Sequence, residues 1–417
     1  MTTFSIFTQP TSALRANSLA FNVIGDNISN SATPGYKAAE TRFREQIIET
    51  DAGATASYAG VKPVVQHFID RQGIVTGTGR TLDLAITGKG FFVTNTDLTA
   101  SDGEFQLTRG GQFDLTVNST GGTEEVILSD AGGNFVYGWP SDGAGGFSTG
   151  TTVSTLQPVR FDPNTLVLQP QATTAANLTA NLQADAAVGT VFTTGVGIFD
   201  GIGTEQDATL TFTKTGINAW TVDLEITNSS LTTGVFPTTA LTFDASGVMT
   251  PPVTLSPAGV VFTTGSGTST NSFTIDLSGV TQFAGVSTII NTTRDGSVGG
   301  DLSSIRFTED GVVEGVFSNG EASGIFKLPL ANVISPNLMS LRANTHYVAN
   351  SNSGEVELFE ADQTGQGAFV PNSLENSTTA IDLDFARMIQ NQQSYSSNVR
   401  AYTVAEEMIR TATNLKQ

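Results

Sequence analysis

The segment Ile381-Asp-Leu-Asp-Phe385-Ala-Arg-Met388-Ile-Gln-Asn-Gln392-Gln-Ser-Tyr395-Ser-Ser-Asn-Val399-Arg-Ala-Tyr402-Thr-Val-Ala-Glu-Glu-Met-Ile409 contains no glycine or proline, and none follows as far as Gln417. Ile381, Met388, Tyr395, Tyr402 and Ile409 stand seven residues apart, with Phe385, Gln392 and Val399 four residues after the first three. That spacing is the narrow apolar seam of a helix that packs on another helix. Thr379, with Asp382 three residues on, reads as a variant capping box that starts it. At 1.5 Å per residue, some 35 helical residues extend about 50 Å, too far to lie inside a small domain.

So long a seam needs a partner, and the other end of the chain offers one. Phe7, Leu14, Phe21 and Ile28 also fall seven apart, with Asn17 and Ile24 three residues after Leu14 and Phe21. Pro10 fits a helix only in its first turn, which makes Thr8 a plausible cap. Thr33-Pro34-Gly35 breaks the pattern. The economical topology leaves through one helix, builds the middle and returns through the other. A helical hairpin capping a monomer satisfies the same spacing, with a seam that is merely core.

Charge separates ends from middle. Arg15, Lys37, Arg42 and Arg44 balance Asp26, Glu40, Glu45 and Glu49 in residues 1–50. Arg387, Arg400, Arg410 and Lys416 balance Asp382, Asp384, Glu406 and Glu407 in residues 380–417. The whole net charge of −20 therefore falls in residues 51–379, with 11 bases against 31 acids. Neutral ends can pack against copies of themselves while an acidic middle keeps particles apart. So acidic a chain lacks the positive field for generic nucleic-acid binding. Cysteine is absent and histidine is limited to His67 and His346, which excludes disulfides, thiolate chemistry and a poly-histidine metal centre. No apolar run is long enough to span a bilayer, and the first residues show no secretory leader.

Between the ends the apolar period becomes two. Leu82, Leu84 and Ile86 alternate with Asp83, Ala85 and Thr87 before Gly88-Lys89-Gly90 turns into Phe91-Phe92-Val93. Phe105 and Leu107 lead through Arg109-Gly110-Gly111 to Phe113, Leu115 and Val117, which reads as a hairpin. Trp220, Val222, Leu224 and Ile226 alternate strictly and pair with Leu210 and Phe212 across a turn at Gly216. Turns are also marked at Asp244 to Gly247, Asp310-Gly311 and Asn319-Gly320. The fold class is mainly β with terminal α-helices: a nested multi-domain chain with a coiled-coil-like helical domain and β-rich sandwich or barrel domains. The expected divisions are residues 1–32 with 376–417 as the helical domain and 33–75 as an extended link. Residues 76–150 with 291–375 form an inner β domain, and the Thr- and Gly-dense residues 151–290 an outer inserted one.

Catalytic motifs are not found: no Walker A loop, no zinc-protease helix and no nucleophile elbow. Gly195-Val-Gly197 reads as a β-turn, and His346 as a surface or packing residue. Asp200, Glu205 and Asp207 offer three carboxylates to Ca²⁺, although such clusters are usually hairpin loops. No cofactor is expected.

Leu14 through Asn27, Ile28, Asn30, Thr33, Pro34, Gly35, Tyr36 and Lys37 closely resembles the amino-terminal signature of the bacterial flagellar rod and hook proteins. Leu82 to Phe92, with Gly88, Gly90 and Phe91, resembles the next motif of that family. Leu374-Glu375 with Ile381, Met388, Gln392 and Tyr395 resembles its carboxy-terminal signature. The large insert points to the hook branch. Asp26 and Ser29 depart from the usual Asn and Ala.

The resemblance implies a non-enzymatic subunit exported through the flagellar type III apparatus without leader cleavage. Outside the cell it would polymerise with itself into a flexible tube that passes motor torque from rod to filament. The partners implied are further copies, the distal rod protein, the hook cap protein and the hook-filament junction protein, with no nucleic acid and no membrane insertion. The polymerisation seam would comprise Leu14, Phe21, Ile24, Ile28, Ile381, Phe385, Met388, Tyr395, Val399, Tyr402 and Ile409. Some relatives crosslink through a Cys-derived bond, which this chain cannot form. A distal rod or junction protein is the alternative within the family. A secreted β-rich adhesin leaves the matched heptads unexplained, and a monomeric enzyme lacks a motif.

Overall fold

The computed structural model describes residues 5–48, 57–118, 125–142, 146–161, 166–226, 231–236, 238–264, 267–361 and 367–414. The chain is mainly β with an α-helix near each end, α1 (Ser5–Ser29) and α2 (Ile381–Asn414). It separates into two compact units, residues 1–162, 304–315 and 322–417, and residues 163–303 with 316–321. No helix among the described residues is long and apolar enough to cross a membrane.

In the first unit the helices pack antiparallel, as the contacts of Phe7 with Tyr402 and of Asn17 with Ser394 require. α1 begins no later than Ser5, so Pro10 lies beyond the first turn and Thr8 does not cap the helix, contrary to the sequence expectation. Pro10 removes one backbone bond. Packing of the Phe7 and Tyr402 rings, 5.1 Å between centroids, holds the turns around it. The capping expectation at Thr379 also shifts by one residue. Asp384 N donates to Ala380 O at 2.9 Å, so Ala380 opens α2. The Thr379 hydroxyl instead accepts a bond from Ser377 Oγ at 3.0 Å.

Residues 33–75, expected as an extended link, carry a paired hairpin of β1 (Ala39–Ile48) and β2 (Ser57–His67). It lies along α1, where Val61 N donates to Ser12 Oγ at 3.2 Å. The strands that follow are β3 (Val75–Gly77), β4 (Leu84–Gly88), β5 (Phe92–Asn95), β6 (Phe105–Thr108), β7 (Phe113–Asn118), β8 (Glu125–Asp130) and β9 (Phe135–Pro140). β4 shows no wet face over Leu84, Ala85 and Ile86, all 0% exposed, because residues 367–371 pair with it and both its faces are covered.

The Arg109-Gly110-Gly111 hairpin is not formed. β6 pairs with β5 and with residues 346–348, while β7 pairs with β8. Gly111 instead lets the chain run close beside the start of β4, where a Cβ would lie 1.6 Å from Leu84 O and the Gly111 carbonyl accepts from Leu84 N at 2.9 Å. Next to this contact the Phe92 and Phe113 rings meet edge to face at 5.1 Å.

The second unit has a core of Phe212, Trp220, Val222, Leu178, Ile198 and Phe262. Residues 205–216 and 219–226 form the hairpin that their alternation predicts, with Phe212 opposite Val222. Residues 175–183 pair in parallel with 274–276 and 281–283 and antiparallel with 288–294. Gly195-Val-Gly197, expected as a turn, lies within the strand 191–199, where Gly195 faces Thr209 and Gly197 faces Asp207.

Candidate assembly surface

The turn after α1 is built by side chains that stand in for backbone. Asn27 Nδ2 donates to Ala39 O at 2.9 Å while its Oδ1 accepts from Ala39 N at 3.0 Å, so the amide pins the start of β1 to the helix. The same Oδ1 accepts from the Tyr36 hydroxyl at 3.3 Å. Asn30 Nδ2 donates to Asp26 O at 2.9 Å and its Oδ1 accepts from Thr33 Oγ1 at 3.1 Å. Gly35 has φ +71°, and a Cβ there would meet Gly110 N at 2.5 Å. Only glycine fits.

This turn ends in a buried charge cluster. Glu375 Oε1 accepts from Lys37 Nζ at 2.5 Å and from Gly73 N at 2.6 Å. Its Oε2 accepts from Arg109 Nη1 at 3.2 Å, and its carbonyl accepts from Gly35 N at 2.8 Å. Arg109 Nη2 donates to Gly88 O at 2.6 Å, and the guanidinium lies 5.2 Å from the Phe91 ring. Gly90, at φ +123°, brings the backbone against Leu330. One carboxylate thus serves two cations, and burial pushes both Lys37 and Arg109 below their ordinary values. All three motifs read from the sequence converge here. Arg109, Gly73 and the pairing of Glu375 were missed, because the partners lie hundreds of residues apart.

The helix pair has a polar contact row. Asp384, Asn391 and Ala405 are the buried side chains of α2, at heptad spacing but one position off the expected row. Asn391 Nδ2 donates to Asn17 O at 2.8 Å, and Asn17 Nδ2 donates to Ser394 Oγ at 3.1 Å. Burial raises the Asp384 carboxyl above its ordinary range.

Of the expected seam, Ile24 is buried, and Leu14, Phe21, Ile28, Met388 and Ile409 are half-buried. Tyr402 touches Phe7 yet is exposed, as is Tyr395. Ile381, Phe385 and Val399 are exposed, and with them Leu383, Ile389, Val404 and Met408. Phe385 is 49%, Ile389 57% and Met408 62% exposed. Large apolar side chains are therefore exposed on α2 among polar ones such as Gln392, Ser396 and Arg400. Beside the pair opens a cavity of about 300 Å³, walled by Ala20, Val23, Ile24 and Phe43 with Asp384 and Arg387 at its edge. Thr41 Oγ1 nearby is buried without a hydrogen-bond partner.

The other candidates have structural uses. His346 is buried rather than at the surface, with Nε2 2.6 Å from Asp130 Oδ2 and Nδ1 3.1 Å from Ala343 O. Asp200 Oδ1 accepts from Ile202 N and Thr204 N at 3.1 and 2.8 Å, which closes a turn, while Glu205 pairs with Arg294 at 2.6 Å. Among the described residues no three His, Cys, Asp or Glu side chains gather as a metal site.

Three family models match the chain. The flagella basal body rod protein model covers residues 11–37, the flagellar basal body protein FlaE D2 domain residues 168–297, and the flagellar basal body rod FlgEFG protein C-terminal model residues 370–415. The chain is 30% identical over 423 residues to the flagellar hook protein FlgE of Brucella suis, with both chains covered completely. It is 30% identical to that of Salmonella typhimurium and 29% to that of Escherichia coli, covering 98% of this chain and 100% of each relative. The solved flagellar hook protein FlgE2 of Helicobacter pylori aligns at a TM-score of 0.49 and 13% identity, over 72% of this chain and 100% of that one. With identity at this level running from end to end, and with model matches at both termini and in the insert, this chain belongs to the flagellar hook protein FlgE family.

Proposed function

We propose that the chain is the repeating subunit of a flagellar hook, a tube outside the cell that couples the motor to the filament. One observation carries the mechanism: the fully buried residues of α2 are Asp384, Asn391 and Ala405, while Phe385, Ile389, Val404 and Met408 stand in water. Large apolar side chains exposed on several sides of one helix gain when they are covered, and helices of neighbouring copies would cover them. On that reading Leu14, Phe21, Ile24, Ile28 and the α2 residues of the seam pack the tube's inner layer, and the β-rich units supply the rest of the wall. The role is structural, and we assign the chain no catalysis. Rod, cap, filament-junction and export-apparatus partners follow from the same reading.

Electron microscopy of the purified chain under polymerising conditions tests it. Phe385→Asp and Val399→Asp are expected to abolish tubes while the monomer's circular dichroism stays unchanged. Tubes of normal yield from both variants would contradict the assignment.

A further inference from the structure

Arg80, Arg160, Arg294, Arg306, Lys327 and Arg342 each face a carboxylate, while Arg15, Arg71, Lys89, Lys214, Arg400 and Arg410 form no ion pair among the described residues. The β1–β2 hairpin adds to these a like-charge pair within one strand ladder. Arg42, Arg44 and Lys62 form no ion pair among the described residues, and all three are exposed. Arg44 stands directly opposite Lys62 in the ladder, and Arg42, two residues along, projects from the same face. Glu45 projects from the other face. Glu40 is on the cationic face but is occupied by Arg387 at 2.9 Å. Like charges directly opposite destabilise a strand pair. In a chain of net charge −20, with acids to spare, this row is left uncompensated.

We infer that the cationic face of the hairpin docks on a second copy of this chain, at the exposed acidic pair Glu406-Glu407 of its α2. The inference rests on the assembly reading above and names a contact within it. Charge complementarity calls for an acidic partner and position selects it: Glu406 and Glu407, like Glu309 and Asp310, are adjacent, exposed and without an ion pair among the described residues, but they alone of the two pairs belong to the helix with exposed apolar side chains. Within one copy the hairpin is held on α1, where Val61 N donates to Ser12 Oγ at 3.2 Å, and no ion pair joins Arg42, Arg44 or Lys62 to Glu406 or Glu407 among the described residues. Arg410 follows Glu407 by three residues and limits the acidic field to the pair itself. Opposed charges at such a contact fix the register of neighbours that apolar helices alone leave free to slide.

The test measures polymer yield of the full-length chain by sedimentation at low salt. Arg44→Glu with Lys62→Glu, and separately Glu406→Lys with Glu407→Lys, are each expected to lower yield about tenfold, and the four changes combined to restore it to within about twofold. Arg44→Gln with Lys62→Gln removes the like-charge pair, so it is expected to leave the monomer at least as thermally stable while still lowering yield. That divergence separates docking from folding. Yields unchanged in the hairpin variants, or a combined variant no better than either reversal, overturn the inference. If those results come while Phe385→Asp still abolishes tubes, the assembly reading survives and only this contact falls.

Discussion

Asn391 donates its side-chain amide to the backbone carbonyl of Asn17 at 2.8 Å, across the antiparallel helix pair. Both residues are buried, and Asn17 in turn donates to Ser394. A buried amide in a helix seam sets register at some expense of stability. Asn391→Ala, which removes this bond and the buried amide, is expected to cost the helix pair about 1 kcal/mol. Asn391→Leu is expected to raise helix stability but give polymers of irregular diameter. Thermal melting followed at 222 nm and negative-stain images check the two halves; identical melting of all three proteins would remove the amide from the argument.

Asp384 supplies a pH dependence with a definite sign. Burial holds its carboxyl above the ordinary 3.8, with Arg387 and Asn27 opposing that rise and Glu40 adding to it. The folded chain therefore takes up this proton at higher pH than the unfolded chain does. Between the two values it binds more protons, and this group's contribution to stability grows as pH falls. Asp384→Asn is expected to raise the melting temperature of the helix pair at neutral pH and to remove that acid-side gain. The comparison is the difference between wild type and variant at pH 7 and just above 4. A constant difference across that range would contradict it.

Gly35 tests the turn that joins helix to hairpin. Its φ of +71° and the 2.5 Å approach of a Cβ to Gly110 N leave an alanine both strained and in collision with backbone. Gly35→Ala is expected to cost about 1–3 kcal/mol. The hydroxyl of Tyr36 and the amide of Asn27 would then lose their geometry, so the amide protons of Ala39 and Gly35 should exchange faster with solvent. Unaltered exchange would show that the turn adapts.

What could be read without coordinates follows from how local each signal is. The two terminal helices were legible because helical periodicity needs only neighbours in sequence. The true contact row of Asp384, Asn391 and Ala405 was not, because a search for apolar repeats passes over polar and small side chains. The strand pattern of residues 105–117 was correct in kind and wrong in pairing. Period two identifies a strand but not its partner, and β6 chose β5. Pro10 misled for the opposite reason, since tertiary contact at Phe7 overrode a local rule. The cluster around Glu375 had no sequence signal beyond motif membership, because Lys37 and Arg109 reach it only after the fold is complete.

That cluster gives the largest expected effect. Among the described residues Glu375 is the one carboxylate paired with both Lys37 and Arg109, and all three side chains are almost wholly buried. Removing one partner of a buried pair costs about 3–5 kcal/mol, because the cation left behind has neither water nor a counter-charge. Glu375→Gln keeps the shape, so its effect isolates the charge. The two tryptophans let the two units be followed separately: Trp139 is buried in the first and Trp220 in the second. In a Trp220→Phe background, urea unfolding followed at Trp139 is expected to shift to clearly lower denaturant on Glu375→Gln. In a Trp139→Phe background the Trp220 transition should stay where it was. Adding Lys37→Met to Glu375→Gln should recover part of the loss, since it removes one of the two stranded cations. If the double variant is as unstable as the sum of the singles, Lys37 and Glu375 are uncoupled, and the convergence of the three motifs is packing rather than charge.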